Sequence, residues 1–430
     1  MYIPEIELKP QAEIKRFQEG KLQELLQYLS ENSAYYQRFF KTHQVDITEI
    51  KTLEDLQKIP TTTKDDLQKY NNDFLCVPKN KIIDYLTTSG TAGDPVVFAE
   101  TENDLQRLAY NEYISFVCAT AKPDDIFQLM VTLDRRFMAG MAYYEGIRKL
   151  GAGVVRVGPG NPGLQFDTIE RIKPTALVTV PSFLLKLIDY AEQHHIDYQN
   201  SSIKKAVCIG ESLRNEDFSL NTLGQRIKEK WDIELYSTYA STEMGTAFTD
   251  CEFGMGGHHH PEMIIVEFLD DEGNPVPPGT PGEVTITTLG VEGMPLLRFK
   301  TGDICNHFVD KCKCGRTTTR LGSVIGRKNQ MIKYKGTTLY PPALYDVLND
   351  IENVENYMVC ISKNTIGTDD IEIKVGTTKP GDVLKKEVKD CFRAKLRVAP
   401  DVTFYTPAEI LKMQFPEMSR KPITFVDNRN

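Results

Sequence analysis

The sequence predicts an α/β protein with a large N-terminal domain, residues 1–327, and a small α+β C-terminal domain, residues 328–430. Three observations carry this prediction. Short β-like runs alternate with longer helical stretches from about 82 to 240, the pattern of crossover units around parallel sheet. Between about 262 and 305 the pattern changes to paired β-like runs around a turn-rich loop, a β-rich subdomain. A polar junction near Lys328 to Gln330 then precedes a tail with its own strands and helices. A chain of 430 residues that is 40% hydrophobic has enough apolar surface to bury cores of this size.

In order along the chain, residues 10–44 carry apolar positions at helical spacing (Ile14, Phe17, Leu22, Leu25, Leu26, Leu29), then the aromatic cluster Tyr35, Tyr36, Phe39 and Phe40. These read as packed helices. The alternating block contains the β-like runs 126–133, 152–158, 176–180, 205–210 and 233–239, with helical stretches at 182–194 and 220–231 among them. In the β-rich part, 263–270 and 283–289 flank the loop DEGNPVPPGTPG. The tail reads as the strand-like 331–336, a helix at 341–351, strands at 357–362 and 370–376, a helix from 382 to 397 and a last run at 401–406.

Composition narrows the function. A formal net charge of −9 argues against general nucleic-acid binding, which needs a basic face, so any anionic ligand must be held locally. No apolar run approaches the ~20 residues that cross a bilayer, and the N-terminus lacks the basic start and apolar stretch of a secretory signal. Nine scattered cysteines, an odd number, fit a reducing compartment. The expectation is a cytoplasmic protein without membrane or nucleic-acid partners; the sequence does not specify its assembly, a homodimer included.

Four local patterns could carry chemistry. In 85–95, YLTTSGTAGDP, glycines and hydroxyl residues follow a β-like stretch, which lets backbone N–H groups approach a phosphate; the plain alternative is a polar turn. Tyr239-Ala-Ser-Thr242-Glu243 sets a hydroxyl beside a carboxylate at a strand end, suited to a phosphate oxygen and a hard cation. In RFKTGD, Asp303 after a Gly turn could accept from ribose hydroxyls or simply satisfy its own backbone. Gly326-Arg327, with Lys333, Lys335 and Gly336, concentrates positive charge at the junction.

Together, in this order and spacing, TTSGTAGDP, YASTE, RFKTGD and GRKNQMIKYKG resemble the core motifs of the adenylate-forming superfamily of acyl-CoA synthetases, luciferases and peptide-synthetase adenylation domains. CKCGRT and the terminal SRKPITFVDNR look most like the phenylacetate–CoA ligase branch, over nearly the whole chain. The resemblance implies that ATP, Mg²⁺ and coenzyme A are used to activate an aryl carboxylic acid as an acyl-adenylate and pass it to a thiol. It implies that Ser89, Gly90, Thr91, Ala92 and Gly93 grip the β- and γ-phosphates. Gly210, Glu211 and Ser212 would lie against adenine, with Tyr239 flanking it. Thr242 and Glu243 would contact the α-phosphate and Mg²⁺, Asp303 the ribose, and Arg327 the nucleotide's edge. Lys421 would be the adenylation lysine, Asn329 the hinge and Gly336 part of the pantetheine channel. Two positions depart from the pattern: Asp94 stands where many relatives carry Lys, and Asn329 where Asp or Lys is usual. By position, Phe137, Tyr236 and Ser237 are candidates for the acid pocket, although aromatics there are also ordinary core. Phenylacetate, another arylacetate or a benzoate remain open as the acid. Delivery to a carrier-protein thiol and a non-catalytic nucleotide-binding relative are the competing readings.

Cys251, His258, Cys312 and Cys314 offer the soft and borderline ligands of a tetrahedral structural Zn²⁺ site; the plain alternative is free thiols beside a solvated His run.

Overall fold

The computed structural model describes residues 2–88, 96–334, 337–363, 369–416 and 422–429. The chain divides into two compact units, Met1–Leu220 with Gly224–Ser323, and Asn221–Leu223 with Val324–Asn430.

The first unit opens with α1 (Gln11–Asn32) and α2 (Ala34–Thr42), and Ser33 between them accepts from Tyr36 N to cap the second. Leu22, Leu25, Leu26 and Leu29 and the aromatics of α2 are buried, as their spacing predicts. After α3 (Lys64–Tyr70), the antiparallel hairpin of β1 (Ile82–Thr87) and β2 (Val97–Thr101) flanks residues 89–95. Thr101 and Asp104 then cap α4 (Glu102–Cys118) reciprocally. The alternating block runs β3 (Ile126–Leu129), α5 (Met138–Leu150), β4 (Gly153–Arg156), α6 (Pro162–Ile172), β5 (Ala176–Thr179), α7 (Pro181–Gln193), β6 (Lys205–Ile209), α8 (Thr222–Lys230) and β7 (Glu234–Ser241). Its strands pair in parallel in the order β4, β3, β5, β6, β7. Nearly every residue of β3, β5 and β6 is buried, as a parallel sheet covered on both faces requires.

The β-rich stretch extends this sheet. β8 (Thr246–Thr249) returns antiparallel along β7, because the connection between them is far too short for the dozen or so residues of a crossover. β9 (Gly257–His258), β10 (Ile264–Leu269), β11 (Gly282–Thr288), β12 (Phe299–Phe308) and β13 (Arg320–Arg327) complete 11 strands, ordered β10-β11-β12-β13-β9-β8-β7-β6-β5-β3-β4.

The tail contributes β14 (Ile332–Tyr334), β15 (Thr337–Leu339), α9 (Pro341–Asn349), β16 (Asn356–Lys363), β17 (Asp369–Gly376), α10 (Asp382–Leu396), β18 (Asp401–Tyr405), α11 (Pro407–Gln414) and β19 (Phe425–Asn428). A four-stranded sheet, β18-β17-β16-β19, packs with α9 and α10 around Leu344, Leu348, Val359, Ile373, Val388 and Phe392. Among the described residues no helix is long and apolar enough to cross a membrane.

Candidate active site

In a doubly wound sheet, ligands bind beyond the carboxyl ends of the parallel strands, and several of the expected residues lie there. β6 ends at Ile209, and Gly210 follows in the left-handed region at φ +74°. The Glu211 carboxylate accepts from Ser182 N and Ser182 Oγ, each at 2.8 Å, which ties the end of β6 to the first turn of α7, where N–H groups lack helical partners. Ser212 Oγ donates to Arg214 O at 3.0 Å. Arg214 Nε donates to buried Asp250 Oδ2 at 2.7 Å, and the same oxygen accepts from Ser237 N at 3.3 Å. One buried carboxylate thus braces the segment after β6 against β7. Burial pushes the Asp250 carboxyl up, and Arg214 opposes that shift.

Tyr239, near the end of β7, donates its hydroxyl to Asp303 Oδ2 on β12 at 2.8 Å. Burial drives the phenol well above its ordinary range and the Asp303 charge adds to this, so Tyr239 remains a donor. The adenine-flanking and ribose candidates are therefore in direct contact. The expected Gly turn is instead a strand irregularity: Gly302, at φ +79°, lies within β12 where its pairing with β11 shifts register, just before Asp303.

Thr242 and Glu243, in the connection after β7, line a small cavity with Phe98, Glu100, Arg107 and Met138. Phe137, the acid-pocket candidate, directly precedes Met138 at the start of α5. Of the other two pocket candidates, Ser237 is held through its backbone by Asp250, and Tyr236 lies in the core with Phe116, Phe127 and Tyr143. The Tyr236 hydroxyl donates to Glu234 Oε2 at 2.7 Å and lies 2.8 Å from Thr120 Oγ1. Ser89, Gly90, Thr91, Ala92, Gly93, Gly336 and Lys421 lie outside the described residues.

In the C-terminal unit, Arg327 ends β13 and Asn329 sits in the single turn Lys328–Gln330. Arg429 Nη2 donates to Asn329 O at 3.2 Å, while its Nη1 donates to Met331 O at 2.6 Å and Asp369 Oδ2 at 3.1 Å. Lys333 N reaches the same Asp369 oxygen at 2.7 Å. The hinge candidate is thus fastened to the body of its own unit.

The four candidate zinc ligands come together although Cys251 and Cys312 are 61 residues apart in sequence. Their ligand atoms all lie within 4.8 Å of one another, with Cys251 Sγ to Cys312 Sγ at 3.7 Å and Cys314 Sγ to His258 Nε2 at 3.5 Å. A tetrahedral Zn²⁺ with bonds of ~2.3 Å to sulfur and ~2.0 Å to nitrogen separates its ligands by roughly 3.3–3.8 Å, so the residues fit the ion. His258 Nδ1 lies 3.4 Å from Thr318 Oγ1, and Arg316 Nη1 donates to Cys314 Sγ at 3.6 Å. The neighbouring histidines turn elsewhere: His259 Nε2 lies 2.6 Å from Ile264 O, and His260 Nδ1 meets Glu7.

Three features escaped the sequence reading. Glu7 is fully buried between His260 and Arg316, whose Nε donates to it at 2.6 Å. Burial pushes the Glu7 carboxyl up, but His260 and Arg316 bring it below the usual carboxylate range. The Arg214–Asp250 pair also went unseen. So did Glu100, whose carboxyl burial raises to about 8, with Asp104 and Asp84 adding to the rise and Arg107 opposing it. A Thr-x-x-Asp cap immediately after Glu100 was the only visible signal there.

The fold is that of the adenylate-forming enzymes. The solved structure of 2-hydroxyisobutyryl-CoA ligase in the postadenylation state, in complex with 2-HIB-AMP, matches with a TM-score of 0.86, covering 100% of this chain and 94% of its own at 22% identity. The same ligase with 2-HIB-AMP and CoA in the thioesterification state matches at 0.72, with 23% identity over 100% of this chain and 94% of that one. The family of AMP-binding enzymes matches residues 29–293, and the chain belongs to it. Among curated proteins, phenylacetate-coenzyme A ligase of Thermus thermophilus is 30% identical over 387 residues, 88% of this chain and 85% of that protein. The protein of the same name from Escherichia coli is 25% identical over an alignment of 438 residues, 99% of this chain and 97% of its own.

Proposed function

We propose that the chain is an arylacetate–CoA ligase of the phenylacetate type, which works through an acyl-adenylate. The observation that carries this reading is the Tyr239–Asp303 hydrogen bond: it puts the residue assigned to flank the base in contact with the one assigned to the ribose, and Tyr239 lies four positions before Glu243, assigned to the cation. Family membership and the two curated relatives support the same reading.

The chemistry requires these parts. A carboxylate is a poor electrophile and must first gain a good leaving group. A carboxylate oxygen of the acid attacks the α-phosphorus of ATP in line, and pyrophosphate departs. The sulfur of coenzyme A then attacks the acyl carbon, its proton passing to solvent, and AMP departs with the electron pair of the broken C–O bond. In the first step Thr242 would orient the α-phosphate, Glu243 would hold the cation, and the Lys421 ammonium would offset charge on the phosphoryl oxygens. Mg²⁺ bound there would neutralise charge developing between the phosphates. The Glu211–Ser182 and Arg214–Asp250 contacts keep the adenine side rigid, so that nucleotide position is set before reaction. The first step needs no general base, because the attacking carboxylate is already ionised.

Lys421→Ala tests the assignment. Carboxylate-dependent ATP–pyrophosphate exchange should fall by at least ~100-fold, while thioester formation from supplied acyl-adenylate falls far less. Wild-type protein that exchanges with no aryl acid would overturn the ligase reading.

Cys251, His258, Cys312 and Cys314 are proposed to hold a structural Zn²⁺, which would crosslink the segments that carry them and take no part in catalysis. Purified protein should contain one zinc per chain by metal analysis, and Cys312→Ser should abolish that stoichiometry and lower the melting temperature.

A further inference from the structure

The cavity beside Glu243 holds a group that the chemistry above does not use. Its walls include Phe98, Leu108, Met138, Met244 and Met294, together with the polar residues Glu100, Asp104 and Arg107. Asp104 is already occupied, accepting from Thr101 N at 2.9 Å, Glu292 N at 2.7 Å and Gly293 N at 2.9 Å. Arg107 is occupied too: it donates to Leu289 O, Gly245 O, Thr246 Oγ1 and Met263 O. Glu100 differs. Its side chain lies in a residue only 9% exposed, and its Oε2 is sealed from solvent with no hydrogen-bond partner among the described residues. A buried carboxyl oxygen with no hydrogen-bond partner is costly whether or not it carries the proton, and such a group persists where something else, such as a hydroxyl or an amine that can both donate and accept, supplies the partner.

The cavity measures about 30 Å³, too small for a ring and large enough for a hydroxyl, an amine or a water. Its position narrows the choice. Glu243, assigned to the phosphate and cation end, and Met138, next to the acid-pocket candidate Phe137, line the same space, so it lies where the acid meets the nucleotide. A pocket walled largely by apolar side chains, with a few polar groups of which Glu100 keeps an oxygen unpartnered among the described residues, is how proteins read a substituent on a small molecule.

We propose that Glu100 recognises a hydrogen-bond-donating substituent, a hydroxyl or an amine, on the acid that this chain activates. The inference rests on the ligase reading and names its substrate class: aryl acids that carry an O–H or N–H donor rather than the bare parent. Glu100 is a specificity residue and touches no bond that forms or breaks. When the donor is missing, the carboxyl is left unpaired in a closed site, which is the situation that gives polar pockets strong rejection of analogues.

The test is ATP–pyrophosphate exchange with phenylacetate, its ring-hydroxy and ring-amino derivatives, and mandelate, on wild type, Glu100→Met and Glu100→Gln. In wild type, kcat/KM should be at least ~10-fold higher for one donor-bearing acid than for phenylacetate. Glu100→Met should bring that ratio close to one by accepting phenylacetate better, and Glu100→Gln should retain part of it. A thermal melt checks folding, and Glu100→Met should melt no lower than wild type because it removes an unpaired buried carboxyl. The hydroxy and amino arms show which donor is read. Preference for phenylacetate in wild type, or the same ratio in wild type and Glu100→Met, overturns the inference alone and leaves a water as the occupant. Exchange with no acid at all overturns the ligase reading, and this inference with it.

Discussion

A phenol that donates to a carboxylate fixes one lone-pair direction of that carboxylate, so Tyr239 decides how Asp303 presents itself to a sugar. Both side chains are constrained: Asp303 is buried, and Tyr239 is kept protonated by its surroundings. In Tyr239→Phe the ring stays and only the donor is lost. That change should raise KM for ATP by roughly 5–30-fold, the equivalent of about 1–2 kcal/mol, with kcat little altered. Steady-state kinetics at saturating acid measures it, and an unchanged KM would mean that Asp303 keeps its orientation without the phenol. Glu211 is a different kind of carboxylate, because both of its oxygens are engaged with Ser182. Its part is to hold backbone in place.

At the scale of elements, the loop between β3 and α5 shows how close packing positions a pocket residue. A Cβ added at Gly140, in the first turn of α5, would lie 2.0 Å from Thr132 O and 2.8 Å from Leu133 Cα, both backbone atoms. The loop is also held from the hairpin side, where Thr87 N donates to Arg136 O at 3.0 Å, and it carries Arg135 and Arg136 in left-handed conformations at φ +59° and +58°. Gly140→Ala must therefore push the loop that leads into Phe137. We expect a loss of about 1–3 kcal/mol in stability, and a larger rise in KM for the acid than for ATP, read by denaturant unfolding and by kinetics. The motifs around Gly210, Tyr239 and Asp303 were legible in the sequence because glycine turns and hydroxyl–carboxylate pairs at strand ends have local signatures. The Cys251–His258–Cys312–Cys314 group was legible because its ligand types are scarce in the chain. Glu100 was not, since a Glu within a strand-like run reads as a solvated position until the packing of α4 and the 288–294 segment is known. Nor was the continuity of the sheet past β7, which depends on a four-residue β8 and a two-residue β9 too short to show any alternation.

For the molecule as a whole, stability and pH are coupled through carboxyls buried without a cation. Glu112 is the clearest: it is buried on α4, accepts from Asn111 Nδ2 at 3.0 Å, and burial raises its carboxyl to about 8. Between the unfolded value near 4.5 and about 8, the folded chain binds a proton at this site that the unfolded chain has released. The stabilisation is complete below the unfolded value and declines as pH rises toward 8, by on the order of 3–5 kcal/mol in total. Glu112→Gln should flatten that decline, so that its melting temperature exceeds that of wild type at pH 9 and approaches it at pH 5. Parallel melts at the two pH values decide this, and equal slopes would show that Glu112 ionises freely in the folded protein.

The Glu7–Arg316 contact joins residues 309 positions apart. During synthesis at ~5–20 residues per second, the chain's opening segment would leave the ribosome roughly 15–60 s before its guanidinium partner exists. For that interval a carboxylate destined for the interior lacks its guanidinium partner. The Glu7–Arg316 contact can therefore close only after the cysteine-bearing turn beside Arg316 has emerged.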